Sequence, residues 1–273
     1  MAENSAALIF TQSDSSDKLA IKAIESELRK YKDVWKKNEH LTVPKGLKAE
    51  YIAAINAYTA KSSLYGDFNK AMRDYGRNVQ IYNDKFNFKG FHYLLSVALQ
   101  KLRQNARLHT FRGVSLKFGT KQGNHIRFGQ FASSSLVQQK AEDFTNKNSD
   151  DNTIFEIDTK LGVPIEKYSE VPDQEEVLIP PTEMFEVTAL EPWKEANKLR
   201  GQRIHLRAIG CKGTLVTLKE GKVGGSLEAN LDQVTRCSTC ICVGWGEPPA
   251  RSKSAPPGKG SRKGRSVRSR GRG

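Results

Sequence analysis

Three short segments in the second half of the chain carry residue types that can bind and cleave a charged substrate. The first, residues 110–114, reads TFRGV and places Arg112 directly before Gly113. A guanidinium can hold a phosphate or carboxylate through paired N–H groups, and a glycine lets a ligand approach the backbone closely. The alternative is that Arg112 pairs with a structural carboxylate and has no ligand.

The second segment, residues 127–136, reads RFGQFASSSL. It runs from an alternating, strand-like stretch into three hydroxyl side chains that precede a predicted helix. In the functional interpretation, the Ser133 hydroxyl fixes a ligand or another side chain. In the structural alternative, Ser134 or Ser135 caps the helix that follows.

The third segment, residues 173–181, reads DQEEVLIPP. Acidic residues stand at the start of a short apolar strand that two prolines end. In a strand, Gln174 and Glu176 face one side and Glu175 faces the other. The functional interpretation is a carboxylate presented beside the arginine and the serine; the alternative is an acidic loop edge.

Hydrophobic periodicity places helices before strands in this chain. Apolar residues at three- and four-residue steps predict helices over 17–38, 49–58, 67–76 and 91–102. Short β-rich runs then predict strands over 110–114, 125–133, 153–159, 175–179, 184–190, 204–209 and 213–218, with one helix over 136–144. This order favours an α+β fold.

The domain organisation follows from these elements and from composition. We expect a flexible N-terminus (1–18), a helical subdomain (19–108), a β-rich core (109–240) and a disordered tail (241–273). Nine of the 44 lysines and arginines lie after residue 247, without an acidic residue among them. Removing those nine charges from the total of +14 leaves +5 for residues 1–247. The body is therefore mildly basic, which suits an anionic ligand.

The four cysteines are too few and too clustered for a disulfide framework. They are Cys211, Cys237, Cys240 and Cys242. The C-x-x-C spacing of Cys237 and Cys240 occurs in zinc and redox sites, but no second ligand pair follows at usable spacing. Free thiols, or one of the three paired with Cys211, are the favoured interpretation, and we expect no metal site.

Taken together, the three segments resemble the vertebrate arginine-specific mono-ADP-ribosyltransferases, ecto-enzymes of the Arg–Ser–Glu class related to cholera-type toxins. The resemblance rests on Arg112, on Ser133-Ser134-Ser135, and on Gln174 to Pro181, which match the family pattern in order and spacing. Further family-like segments are 57–59, 65–69, 88–92, 126–131 and 161–165. The likeness covers roughly residues 20–240.

The resemblance implies a mixed β-sandwich core that binds NAD(P) as a substrate and needs no cofactor. It implies that Arg112 holds a pyrophosphate oxygen, with Gly113 beside the ligand, and that Ser133 orients the nicotinamide ribose and Glu176. Glu176 would accept a hydrogen bond from the ribose 2′-hydroxyl. Arginine-specific members have Glu where this chain has Gln174, the residue expected to position the acceptor.

Three functions follow from the resemblance and its departures. The first is transfer of ADP-ribose to a protein arginine. The second is NAD glycohydrolysis with water as acceptor, because the Gln174 amide cannot serve as a base. The third is a catalytically decayed binding protein whose basic tail contacts nucleic acid or an anionic surface.

Two further expectations concern the oligomeric state and the cellular location. We expect a monomer. The family implies a secreted or cell-surface protein, but the chain shows no signal peptide, no transmembrane segment and no glycolipid-anchor signal.

Overall fold

The computed structural model describes residues 8–36, 42–76, 78–221 and 226–231. Its helical part contains α1 (Asp14–Glu27), α2 (Lys32–Lys36), α3 (Ala49–Thr59), α4 (Leu64–Tyr75), α5 (Val79–Lys85) and α6 (Lys89–Leu102). Local capping starts two of them: the Ser13 hydroxyl accepts from the backbone N–H of Ser16, and the Asn78 side chain accepts from that of Ile81.

The predicted helix over 17–38 is interrupted. It ends at Glu27, passes through a 3-10 turn (Arg29–Tyr31) and resumes as α2. At the break the buried Glu27 carboxylate accepts hydrogen bonds from the amides of Gly90 (2.8 Å) and Phe91 (3.1 Å), in the first turn of α6. These amides lack intrahelical partners, so a carboxylate stabilises them, and this contact between distant segments is not visible in local periodicity.

The expected flexible N-terminus is wrong for residues 8–18, whereas residues 1–7 lie outside the described part of the chain. Leu8–Phe10 form the buried strand β1, and α1 follows directly. The polar residues here have structural partners: buried Asp17 accepts hydrogen bonds from the hydroxyls of Tyr51 (2.6 Å) and Tyr93 (2.8 Å). A polar composition therefore reflects capping and buried hydrogen bonds rather than disorder.

The strands form two mixed sheets, and the α+β fold class is confirmed. An eight-stranded sheet has the order β3-β8-β9-β5-β2-β4-β7-β6, and a three-stranded sheet has the order β1-β10-β11. The strands β5 and β9 are parallel, as are β1 and β10, and the other pairs are antiparallel. The bounds are β2 (Leu108–Val114), β3 (His125–Ile126), β4 (Ala132–Ser135), β5 (Asn152–Thr159), β6 (Val163–Pro164), β7 (Glu176–Ile179), β8 (Glu183–Glu195), β9 (Lys198–Cys211), β10 (Thr214–Glu220) and β11 (Leu227–Leu231).

The eight-stranded sheet has a weak junction between β2 and β4. Strand β2 pairs with β5 at seven positions but with β4 only at Phe111 and Ser135. The sheet therefore consists of one block, β3-β8-β9-β5-β2, and a second block, β4-β7-β6, joined at a single backbone pair. Beyond that pair β2 and β4 have no backbone pairing, and we call this unpaired region, with Arg112 on one side and Ser133 on the other, the opening.

Two hydrophobic clusters flank β4 and β7. The helical cluster contains residues of α1, α3, α4 and α6 together with Phe131 and Leu178, whereas the sheet cluster contains Ala132 and Ile179. Successive side chains of a strand point to opposite faces. Both strands are therefore buried on both faces, which fixes the site residues that they carry.

The predicted strand over 125–133 and helix over 136–144 differ from the structure. Strand β3 ends at Ile126, and residues 127–131 cross to β4 through Gly129, whose φ of 71° is left-handed. The helix, α7, is confined to Gln138–Glu142. A glycine can take this backbone conformation without strain, and it ends the alternation that predicted one long strand.

The helical and β-rich parts belong to one compact unit. Cys211 is in a disulfide bond. The other three cysteines and the basic tail over 241–273 lie outside the described residues, so the expectations for them stay predictions. No helix among the described residues combines the length and the apolar character that a membrane span requires.

Candidate active site

The three sequence segments lie on three adjacent strands, β2, β4 and β7. In the antiparallel pairing of β4 with β7, Ser133 is opposite Leu178 and Ser135 is opposite Glu176. Directly opposed residues share a face of the sheet, and a residue two positions away remains within side-chain reach. Ser133 and Glu176 therefore share a face, which is the face that Leu178 turns to the helical cluster.

Glu176 is the most buried of the three proposed catalytic residues, with 8% of its surface exposed. Burial raises the pKa of its carboxyl, while a hydrogen bond from the Ser133 side chain and the positive charge of Arg112 both act to lower it. Desolvation disfavours the charged form, and a donor or a cation nearby favours it. The structure thus brings Arg112, Ser133 and Glu176 into one electrostatic site.

Arg112 bridges the opening between β2 and β4. Its Nη1 donates a hydrogen bond of 2.7 Å to the backbone carbonyl of Ser133. This carbonyl lies where backbone pairing between the two strands has ended, so the guanidinium supplies the donor that the ladder lacks. The carbonyl is neutral, and the guanidinium charge is therefore available to an anion.

The two serines after Ser133 attach β4 to the third segment. The Ser134 hydroxyl donates to the carbonyl of Val177 (2.9 Å), and the Ser135 hydroxyl donates to that of Gln174 (2.7 Å). The predicted helix cap is wrong: Val137 is the N-cap residue of α7, and no side chain caps that helix. Both serines instead fix the backbone on either side of Glu176.

The strand predicted over 175–179 begins only at Glu176, and Gln174 lies outside any strand. Gln174 ends a 3-10 turn (Pro172–Gln174), and Glu175 then adopts a left-handed conformation with φ 45° and ψ 48°. The alternation argument, which placed Gln174 and Glu176 on one side of a strand, is therefore wrong. Gln174 is half-buried beside β7, and its expected part in positioning the acceptor stays a prediction.

Gly113 packs so closely against α7 that a side chain would not fit there. A Cβ atom built there would lie 1.8 Å from the backbone oxygen of Ala141 and 3.2 Å from Cγ2 of Thr145. Helix α7 and the residues after it fill this space, so the expectation that the missing side chain makes room for a ligand is wrong on that side. The glycine lets α7 contact β2 beside Arg112.

Tyr58 on α3 is a site neighbour that was not among the residues expected at the site, although it lies in the predicted helix over 49–58 and in the family-like segment 57–59. It is 1% exposed, and its hydroxyl donates to the carbonyl of Phe131 (3.4 Å), two residues before Ser133. The charges of Glu176 and Arg112 both act on the pKa of this phenol. Its proximity depends on a contact between positions 73 residues apart, which local sequence patterns do not report.

Within the part of the chain that the structure describes, no group of three or more histidine, cysteine, aspartate or glutamate side chains is placed to hold a metal ion.

Comparison with known proteins relates this chain to a defined family. A family model described as NAD:arginine ADP-ribosyltransferase matches residues 2–212. NAD(P)(+)–arginine ADP-ribosyltransferase 2 of Gallus gallus is 37% identical over 239 residues, which cover 80% of this chain and 72% of that protein.

Two further relatives show the same relationship over a shorter alignment. GPI-linked NAD(P)(+)–arginine ADP-ribosyltransferase 1 of Oryctolagus cuniculus is 41% identical, with 63% of this chain and 51% of that protein covered. Ecto-ADP-ribosyltransferase 5 of Rattus norvegicus is 42% identical, with 57% and 52% covered. The chain thus spans about half the length of these two relatives.

Solved structures agree with this family relationship. The crystal structure of the eukaryotic mono-ADP-ribosyltransferase ART2.2 matches with a TM-score of 0.61 and 27% identity, over 85% of this chain and 95% of that chain. A mutant of the same enzyme in complex with NAD matches with a TM-score of 0.60 and 28% identity, over 80% and 94%.

Proposed function

The chain belongs to the NAD:arginine ADP-ribosyltransferase family, and we propose that it cleaves NAD at the nicotinamide–ribose bond and transfers the ADP-ribose to an acceptor. The observation that carries the proposal is the convergence of Arg112, Ser133 and Glu176 at the opening between β2 and β4. NAD bound to a structural relative supports the choice of substrate.

Glu176 has the properties that the bond cleavage needs. Departure of nicotinamide leaves positive charge on the ribose, and a fixed carboxylate beside it stabilises that charge, as in glycoside hydrolysis. Burial makes this interaction stronger than it would be in water. Nicotinamide is a good leaving group, so the site needs no strong general acid, and Glu176 acts as the ionised form.

Arg112 and Ser133 would bind the substrate and orient Glu176, respectively. The guanidinium would hold a pyrophosphate oxygen, exchanging its bond to the neutral Ser133 carbonyl for a charge-assisted one. The Ser133 side chain orients the Glu176 carboxylate through a hydrogen bond, which partly offsets the larger rise in the Glu176 pKa that burial causes. The contact between Ser133 and Glu176 is formed before substrate binds, which is the condition for effective electrostatic catalysis.

The acceptor depends on Gln174. Relatives named arginine ADP-ribosyltransferases support a protein arginine as acceptor. However, the Gln174 amide can donate and accept hydrogen bonds but cannot take a proton from a guanidinium or pair with its charge. We therefore propose that NAD cleavage is retained and that water competes with arginine as acceptor, giving glycohydrolase activity beside transfer.

The names of two relatives and one disulfide bond support a proposal for the cellular location of the protein. The rabbit relative is named GPI-linked, and the rat relative is named an ecto-enzyme. Cys211 is disulfide-bonded, which is typical of proteins in oxidising compartments. We propose a secreted or cell-surface protein that acts as a monomer, since one chain supplies all three proposed catalytic residues.

Nicotinamide release from NAD tests the proposed function. We expect Glu176→Gln to lower the rate by about 10²–10³-fold, which is typical when one preorganised group is lost. Glu175→Gln is the matched control, because it removes the neighbouring carboxylate, which is exposed and lies outside the site.

The same assay separates the proposal from a decayed binding protein. If the purified wild type released nicotinamide no faster than Glu176→Gln, the enzymatic proposal would be wrong and the binding function would take its place. Equal losses in Glu175→Gln and Glu176→Gln would show that the assignment of Glu176 is wrong.

A further inference from the structure

A buried phenol connects the helical cluster to the strand that carries Ser133. The Tyr58 hydroxyl accepts a hydrogen bond from Nδ2 of Asn69 (3.0 Å) and donates one to the carbonyl of Phe131 (3.4 Å). The Tyr58 ring also contacts the rings of Tyr65, Phe68 and Phe131, with centroids 5.1, 6.2 and 6.1 Å away. The phenol is therefore held by packing and by hydrogen bonds at once.

The hydrogen-bond donor to the Tyr58 hydroxyl is the buried side chain of Asn69. Asn69 is 1% exposed, and within the described residues its Oδ1 has no hydrogen-bond partner. A buried amide with one unsatisfied atom is costly, so a core without function would favour an apolar side chain there. The contact that Asn69 does make fixes the Tyr58 hydroxyl, whose own proton then points to the Phe131 carbonyl.

We propose that Tyr58 is a positioning residue for NAD cleavage: by holding the Phe131 carbonyl, it sets the place of Ser133 and, through Ser133, the orientation of the Glu176 carboxylate. This inference rests on the proposed function. Phe131 lies directly before β4, and Ser133 is the second residue of that strand. A shift of the Phe131 backbone therefore moves Ser133 with it.

The electrostatics of the phenol agree with an indirect role. Burial raises the pKa of Tyr58 well above its usual value, the negative charge of Glu176 raises it further, and the charge of Arg112 lowers it. The phenol thus stays protonated at neutral pH and can donate its hydrogen bond to the Phe131 carbonyl. Its proposed effect is the hydrogen bond to the Phe131 carbonyl, and the charges of Glu176 and Arg112 are close enough to act on it.

A double-mutant cycle with Tyr58→Phe and Ser133→Ala tests the inference. Tyr58→Phe keeps the ring packing and removes the bond to the Phe131 carbonyl. We expect kcat for nicotinamide release to fall about fivefold with KM for NAD unchanged, as for one hydrogen bond lost. In the Ser133→Ala background, the same change should have no further effect on kcat.

Tyr82→Phe is the matched control. Its hydroxyl is also fully buried in the helical cluster, but it bonds to Nδ1 of His92 (3.0 Å) and not to the approach to β4. A merely structural role for buried phenols would give Tyr82→Phe and Tyr58→Phe the same kinetic effect. We expect Tyr82→Phe to leave kcat within twofold of wild type, since it touches no site residue.

Titration of the Glu176 carboxyl carbon by NMR gives a second measurement that needs no turnover. Because the Ser133 hydrogen bond lowers the Glu176 pKa, both Tyr58→Phe and Ser133→Ala should raise it, and Tyr82→Phe should not. An unchanged Glu176 titration in Tyr58→Phe, or equal losses of kcat in both backgrounds, would overturn the inference. If the wild type did not cleave NAD, the proposed function would fail, and this titration would still decide the positioning role.

Discussion

Replacing Gly113 by alanine tests whether this glycine is needed for the packing of α7 against β2. The new Cβ would lie 1.8 Å from the Ala141 oxygen, whereas real Cβ atoms essentially never approach a heavy atom closer than 3.0 Å. The backbone of α7 would therefore have to retreat by at least about 1.2 Å from β2. The colliding atom belongs to a peptide group, so a change of side-chain rotamer cannot relieve the contact.

The expected cost is that of an overpacked core. Inserting a methyl group into a well-packed site typically destabilises a protein by about 1–3 kcal/mol. Gly113 does not have a positive φ, so alanine is allowed by the backbone, and its lower unfolded-state entropy offsets about 0.4–1 kcal/mol of that cost. We expect the free energy of unfolding to fall by up to roughly 2.6 kcal/mol relative to wild type, and by roughly 1–3 kcal/mol relative to an alanine substitution that meets no neighbouring atom.

Urea unfolding at pH 7 measures this change, with Gly119→Ala as the matched control. No atom lies within 4 Å of a Cβ built on Gly119, and its φ is not positive. The control should match the wild type or exceed it slightly in stability. A Gly113→Ala protein as stable as Gly119→Ala would refute the packing role and restore the interpretation in which Gly113 serves ligand approach.

Two further predictions concern the acceptor and the buried carboxyl groups. Gln174→Glu should raise the ratio of transfer to a guanidine compound over NAD hydrolysis, because a carboxylate can orient and deprotonate the acceptor; the same ratio in Gln174→Glu and in Gln174→Ala would contradict this account. Burial raises the pKa of both Glu27 and Glu183 from 4.5 to about 7. The folded state then binds these protons more tightly, so the free energy of unfolding should fall as pH rises from about 4.5 to about 7, by up to about 3 kcal/mol for each group. Urea titrations between pH 5 and pH 8 should show this slope in the wild type and a smaller slope in Glu183→Gln, and a flat profile in both would refute it.

Elements in a uniform environment could be predicted closely from the sequence. Helix α3 was expected over 49–58 and lies at Ala49–Thr59, and strand β5 was expected over 153–159 and lies at Asn152–Thr159. Both are almost wholly buried, so apolar residues recur along their whole length. Arg112, Ser133 and Glu176 could be selected because their three segments resemble a known family pattern in order and spacing.

Features that depend on distant contacts could not be predicted. Strand β1 exists because it pairs in parallel with β10, from the other end of the described chain. The serines after Ser133 have the composition of a helix cap, but their hydroxyls are taken by carbonyls of the third segment, some 40 residues away. The place of Tyr58 beside Phe131 likewise follows from tertiary packing, which overrides local pattern.

The single backbone pair between β2 and β4 has a mechanical consequence for substrate entry. Because Phe111 and Ser135 alone join the two strand blocks, the gap beyond them can change width without breaking the pairing of β2 with β5 or of β4 with β7. The bond from Arg112 to the Ser133 carbonyl spans this gap. In the proposed mechanism, a dinucleotide would enter when this one side-chain bond exchanges partners, while the two strand blocks keep their backbone pairing.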